Sequence, residues 1–356
     1  MKAKPKVGQR TRGTNQAAAT IYDVADHAGV SKTTVSRVLN GETNVRQATR
    51  AIVLKAVKEL QFLPNKAARS LASQAEARIG LLYNNPSVAY FSELLMGALD
   101  GSGRNGVQLV VDKCEIGNVA ASCDAVRKLV KGGVNGMVLT APLCESTELI
   151  EELTRAGISI VAVATGYFRS NVACVGIDDF KAAYEMTNYL LGLGHRRIGF
   201  VKGHPSHTSS TRRVLGFEAA LRDAGRKVEK PMIAQGHYSY RSGLEAGEQL
   251  LSGHKSPTAI FASNDDMASG VMAVAHRRSL DVPRDISIVG FDDTIAGAMW
   301  PELTTIRQPI YDIAATAIDV IVRNIHSLKS GVKVKPRNYL VPHALIQRES
   351  AAAPSR

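Results

Sequence analysis

Apolar residues are sparse and aperiodic over residues 1–19 (MKAKPKVGQRTRGTNQAAA), which predicts a disordered basic arm. From Thr20 a helical period sets in. In residues 21–28 (IYDVADHA), Val24 and Ala28 share one face, Thr20 stands in the N-cap position, and Gly29 supplies the turn. Ser31 then caps a second helix, Lys32 to Asn40, with Val35, Val38 and Leu39 inward and Gly41 as its stop. A third helix over about Arg46 to Gln61 carries Ala48, Ile52, Ala56 and Leu60 at four-residue steps, and Pro64 ends the unit. Residues 65–73 (NKAARSLAS) can form a further short helix, marginal alone in water.

Beyond Arg78 the pattern changes to short apolar runs alternating with amphipathic segments. Strands are expected at Ile79–Tyr83, Val107–Val111, Gly136–Thr140 and Ser159–Val163, separated by helices near 90–104, 119–131 and 145–156. The series restarts with strands at Arg197–Val201, Met232–Gln235, Thr258–Ala262 and Ile286–Val289, and helices near 180–193, 210–225, 240–252, 266–279 and 308–329. Such β-α-β alternation implies parallel sheets with helices on both faces, hence an α/β protein in which two doubly wound units follow an all-helical N-terminus. Ligands of these sheets bind outside the carboxyl ends of the strands, so a cleft between the two units is the expected site.

Composition narrows the class. With 356 residues, 45% hydrophobic and 21% charged, the chain is ordinary globular material long enough for two or three domains. No apolar run approaches the roughly 20 residues of a membrane span. The basic N-terminus has no apolar core of a secretory signal behind it, so a cytoplasmic protein is expected. The four cysteines, Cys114, Cys123, Cys144 and Cys174, form no C-x-x-C pair and read as reduced thiols. Of the 44 Lys and Arg, 13 lie in residues 1–74 beside 4 acidic residues, leaving 31 against 28 for the remainder. A small segment that carries most of the charge is the footprint of a phosphate-backbone binder, or of a solvated basic tail.

The spacing of Ala25, Gly29 and Val35 favours the first reading. A helix-turn-helix needs a small residue where its helices cross, a glycine at the turn and a branched apolar residue to lock the second helix. Residues 20–40 (TIYDVADHAGVSKTTVSRVLN) resemble the DNA-binding signature of the lactose-repressor (LacI/GalR) family of bacterial transcription regulators. Residues 63–71 (LPNKAARSL) resemble its hinge helix, and the likeness continues through 263–270 (SNDDMASG), 289–293 (VGFDD) and 303–309 (LTTIRQP). The resemblance implies a helix-turn-helix domain over 20–63, a hinge over 64–76, and a periplasmic-binding-protein-like core of two α/β subdomains over 77–350. It also implies crossovers near 178–180 and 303–309, and a tail from 351.

The first turn of the second helix would enter the major groove with Lys32, Thr33, Thr34 and, one turn on, Arg37. Lys and Arg donate to guanine, while Thr bonds a base edge or packs on thymine. Tyr22, Ser31, Ser36 and Asn40 suit phosphates. By the resemblance, Leu71 wedges between base pairs from the minor groove, flanked by the hinge contacts Asn65, Arg69 and Ala72.

For a small-molecule effector the resemblance points to the aromatic pair Tyr90 and Phe91, to Arg213, to Tyr238, to Asn264 and Asp292, and to Asp178 or Asp179. Aromatic faces with Arg, Asn and Asp suit a sugar ring, and equally a planar nucleobase. The expectation is a repressor of carbohydrate-utilisation genes: a homodimer without a coiled-coil extension, bound to a pseudo-palindromic operator and released by a sugar-type effector. The alternative is a nucleobase corepressor that tightens DNA binding.

Enzyme and transport readings fare worse. Residues 101–106 (GSGRNG) match G-x-G-x-x-G but end a helix and precede a strand, the reverse of the order that cradles a pyrophosphate. Asp265-Asp266 and Asp292-Asp293 are adjacent pairs whose carboxyls diverge. His204 and His207 lack further ligands for a metal, and no cofactor is implied. A sugar-transport protein would share the cleft but carry no helix-turn-helix.

Overall fold

The computed structural model describes residues 19–39, 45–60, 62, 77–83, 86–113, 119–168, 171–227, 229–253, 256–332 and 334–355. The chain divides into two compact units, Met1–Glu76 and Ala77–Arg356. The sequence expectations for residues 1–18, and those for Asn40, Asn65, Arg69, Leu71, Ala72 and Cys114, lie outside the described residues.

The first unit contains α1 (Ile21–Ala28), α2 (Lys32–Leu39) and α3 (Gln47–Glu59). Thr20 and Asp23 form a reciprocal capping box at the start of α1. Gly29 closes α1 with φ 63°, its N–H bonded to the carbonyls of Ala25 and Asp26, a conformation that strains any residue with a Cβ. Val24, Ala25, Ala28, Val35, Val38, Val53, Ala56 and Phe62 form the core. The inward face of α3 is therefore Val53 and Ala56, while Ile52 is 52% exposed and Ala48 is exposed. Steps of four residues advance 400° around a helix and drift off the true 3.6-residue period.

The second unit holds β1 (Arg78–Tyr83), α4 (Val88–Asn105), β2 (Gln108–Lys113), α5 (Val119–Lys131), β3 (Gly136–Thr140), α6 (Thr147–Arg155), β4 (Ser159–Val163), β5 (Ala173–Gly176) and α7 (Asp179–Gly192). It continues through β6 (Ile198–Lys202), α8 (Thr208–Asp223), β7 (Ile233–Gln235), α9 (Tyr240–Leu251), β8 (Ala259–Ala262), α10 (Asp265–Arg277), β9 (Ser287–Asp292), β10 (Thr304–Arg307), α11 (Ile310–Lys329), β11 (Asn338–Leu340) and β12 (Ala344–Ile346).

Two six-stranded sheets result, in the orders β11-β5-β4-β3-β1-β2 and β12-β10-β9-β8-β6-β7. Every pairing is parallel except β10 with β12. The fully buried runs of β4 (SIVAV) and β9 (SIVGFD) fit strands covered on both faces. The chain passes between sheets after β5 and after β10, and a third time between Leu340 and Ala344, a crossing the sequence pattern did not reveal. Helix α11 belongs to the first sheet, packing on α4 and on β3 to β5, not to the second series in which it follows in sequence. The core also continues past residue 350. Ala352 exchanges hydrogen bonds with Ser287 Oγ and accepts from His195 Nε2 at 2.9 Å, and Ser355 Oγ donates to the Arg284 carbonyl.

Candidate functional site

In the first unit, Ser31 Oγ accepts from the Thr34 N–H at 3.2 Å and lies 2.9 Å from Thr34 Oγ1, so it fixes the start of α2. Lys32, Thr33 and Arg37 are exposed on α2, and Thr34 and Ser36 are half-buried. Tyr22, 63% exposed on α1, accepts from Lys32 Nζ at 3.1 Å, and the ammonium also lies 4.9 Å from its ring centroid. The two helices thus present one polar, cationic face.

In the second unit, a cavity of about 40 Å³ lies at the carboxyl ends of both sheets. Tyr83 and Thr140 come from the ends of β1 and β3, where the strand order of the first sheet reverses; His207 and Asn264 follow β6 and β8, the equivalent point of the second. Tyr90, Arg213, Tyr238, Asn264 and Asp292 all line this cavity, as do Ser209 and Gln308. Phe91 and Asp178 are not among the lining residues. Phe91 stacks behind Tyr83 with ring centroids 3.6 Å apart, and Asp178 caps α7 by accepting from the Lys181 N–H at 3.1 Å. The neighbouring Asp179 is the one that turns inward.

Arg213 organises the site. Its Nε donates to Asp179 Oδ1 at 2.8 Å and its Nη1 to the Ser263 carbonyl at 2.5 Å, with Asp292 Oδ1 3.9 Å from Nη1. The guanidinium also lies 3.6 Å from the Phe291 ring centroid. Burial opposes its charge, but Asp179 and Asp292 outweigh that and raise its pKa. Burial likewise drives the Asp292 carboxyl well above the ordinary carboxylate range, against the pull of Arg213, and raises Asp179. Gln308 Nε2 donates to Asp292 Oδ1 at 2.6 Å. Asn264 caps α10 by accepting from the Met267 N–H at 3.0 Å and donates to the Tyr238 carbonyl at 3.2 Å.

Several of these residues hold costly backbone conformations, with φ 59° at Tyr238, 107° at Asp292 and 62° at Asp293. Asp293 is locked from behind by Arg307 Nε at 2.6 Å and Arg348 Nη1 at 2.7 Å, which leaves the Asp292 carboxyl facing the cavity. The Tyr238 ring lies against Gly203, where a Cβ would collide with it, and stacks at 5.4 Å on His207, whose pKa burial pushes down to about 4. Burial raises the pKa of the Tyr238 hydroxyl, and the charge of Arg213 and then Ser209 moderate that rise; among the described residues the hydroxyl has no well-formed hydrogen bond. Among the described residues, no group of three His, Cys, Asp or Glu is placed to hold a metal, and no helix is long and apolar enough to cross a membrane. Among the described residues, Cys123, Cys144 and Cys174 are not joined in disulfides.

A helix-turn-helix unit followed by a two-sheet core with a cavity at its strand ends is the architecture of a DNA-binding transcriptional regulator. Residues 20–65 match the family described as bacterial regulatory proteins, lacI family, and residues 187–351 match a periplasmic binding protein-like domain. Catabolite control protein A of Priestia megaterium is 35% identical over 306 residues, which cover 85% of this chain and 92% of that protein. Among solved structures, the lac repressor dimer bound to operator and the anti-inducer ONPF superposes with a TM-score of 0.69 at 29% identity, covering 95% of this chain and all of that one. The transcriptional regulator CelR–cellobiose complex gives 0.70 at 26% identity, covering 93% and 99%. The chain belongs to the lacI family of bacterial regulatory proteins, and is a DNA-binding transcriptional regulator rather than an enzyme.

The lining residues outside the expected set are Tyr83, Leu94, Thr140, Ala141, Ala164, His207, Ser209 and Gln308. Tyr83 and Thr140 end strands that the apolar pattern marks, and Gln308 lies in the 303–309 motif; the others carry no local signal.

Proposed function

We propose that this regulator is a homodimeric repressor whose cavity binds a sugar, and that the bound sugar lowers affinity for a pseudo-palindromic operator. The observation that carries the reading is the Arg213–Asp292 pair beside the unpartnered hydroxyl of Tyr238: charged and neutral hydrogen-bonding groups next to an aromatic face, the combination a polyhydroxylated ring requires. The cellobiose held by CelR lends weight to it. On the DNA side Lys32, Thr33, Thr34 and Arg37 enter the major groove, Tyr22, Ser31, Ser36 and Asn40 hold phosphates, and the hinge residues Asn65, Arg69, Leu71 and Ala72 engage the minor groove.

A ligand in this cavity touches both sheets, so one that favours a different arrangement of the two shifts the population away from the form that grips DNA. A thermal-shift screen of sugars and purines, followed by DNA binding with any hit, tests this. Stabilisation by a sugar that also weakens DNA binding is expected. Stabilisation by purines alone, with tighter DNA binding, overturns both the ligand class and the sign of the response.

A further inference from the structure

Helix α8 places Ser209 and Arg213 in the cavity wall, yet its own N-cap residue, His207, makes no side-chain cap bond. The cap comes from the other sheet. Glu145, in the short turn Leu143–Glu145 that follows β3, accepts through Oε1 from the Thr208 N–H at 3.1 Å and from Thr208 Oγ1 at 2.6 Å. A carboxylate there also meets the positive end of the helix dipole. Thr208 Oγ1 in turn accepts from the Gly166 N–H at 2.9 Å, so one threonine of the second half holds the loops after both β3 and β4 of the first.

The surroundings are fitted to this contact. A Cβ on Gly166 would run into the backbone of Thr208 and Ser209, so the two segments approach as closely as a glycine allows. Along α8, the Arg212 guanidinium lies 5.7 Å from the ring centroid of Tyr167. The chain crosses between the sheets beside β5, β10, β11 and β12, whereas in the second sheet β8 and β9 separate β6, which leads into α8, from β10. Covalent crossings leave two halves free to hinge, and a noncovalent contact set apart from them opposes that motion. Ala141, Ala164, His207 and Ser209 line the cavity beside it.

We propose that Thr208 clasps the two halves in this arrangement, with Glu145 as a helix cap supplied across the cleft, and that the clasp biases the ligand-free protein toward its DNA-gripping form. The second clause rests on the reading above, in which the arrangement of the two sheets governs DNA affinity. Thr208→Val removes the hydroxyl and Glu145→Ala removes the cap, and neither residue lines the cavity. Ser146→Ala is the control: it deletes the neighbouring cap, in which Ser146 Oγ accepts from the Leu149 N–H at 3.3 Å within the first half. Each is made in the full chain with spin labels on unnatural amino acids at Glu151 and Arg241, exposed positions of α6 and α9, and the distance between labels is measured by pulsed electron resonance without ligand. Both clasp variants are expected to shift the distribution to longer and broader distances, while Ser146→Ala matches the parent. Affinity for a library-selected duplex should fall at least about fivefold in the clasp variants alone. Unchanged distances in both clasp variants, or an equal change in Ser146→Ala, overturn the clasp. Longer distances with unchanged DNA affinity support the clasp and overturn the coupling on which the reading above depends.

Discussion

Arg213 Nε donates to Asp179 Oδ1 at 2.8 Å, with both side chains no more than 5% exposed, so each charge depends on the other for its solvation. Removing one partner strands the second in a low-dielectric site, which typically costs about 3–5 kcal/mol. Asp179→Ala should therefore lower the unfolding free energy of the core by roughly that amount in urea denaturation. A loss below about 1 kcal/mol would mean that the pair is solvated in solution.

Asp265 gives the stability curve a pH dependence of known sign. Its carboxyl accepts from Thr305 Oγ1 at 2.7 Å and from the Thr294 N–H at 2.8 Å, yet burial pushes its pKa up from 3.8 to about 7. Between these values the folded chain keeps a proton that the unfolded chain has lost. This group's contribution to stability therefore declines as pH rises through the window and levels off above it. Asp265→Asn, which can satisfy both threonines, should gain stability relative to the parent from about pH 4 to about pH 8. A difference independent of pH in urea titrations would refute the assignment.

Gly203→Ala separates packing from recognition. The new methyl collides with the outer ring atoms of the buried Tyr238 and forces that ring to shift, an overpacking that should lower stability by about 1–3 kcal/mol. The displaced ring no longer walls the cavity, and effector affinity should fall at least about tenfold. Calorimetry of ligand binding beside thermal unfolding reads the two effects separately. Equal affinity in variant and parent would remove Tyr238 from the site.

On the DNA side, Arg37→Ala should cost on the order of 1–3 kcal/mol if its contact is bidentate to guanine, and Lys32→Ala should relax base preference. Selection from a random duplex library, compared between parent and variants, checks both. Unchanged preferences would reassign these side chains to phosphates.

Element type was legible wherever a pattern ran long enough. The expected strands at Gly136–Thr140 and Ser159–Val163 fall where the structure has β3 and β4, because runs of three and four consecutive apolar residues between helical segments leave little choice. Strands β5, β10 and β12 each follow another strand with no α-helix between, and β11 is three residues long, so none falls into the helix–strand alternation that marks the equally short β7 and β8; their existence depends on partners far away in sequence. The third passage of the chain between sheets was hidden for the same reason.

Within the cavity, uncertainty lay between neighbours. Tyr90 and Phe91 are adjacent on a helix and point about 100° apart, so only Tyr90 reaches the cavity. Asp178 and Asp179 divide in the same way, one capping α7 and the other holding Arg213. Residues such as Gln308 join the site only through the folding of β10 beside β9.

The central claim is that occupancy of the Arg213–Asp292 cavity governs DNA binding. Its most direct test is a titration of a library-selected duplex against parent and Asp292→Asn proteins, with and without the sugar found by thermal shift. The account predicts equal DNA affinity for the two proteins without sugar, and at least about a tenfold loss with sugar in the parent alone. Sugar that binds the parent in calorimetry yet leaves its DNA affinity unchanged, or that releases both proteins equally, would contradict it.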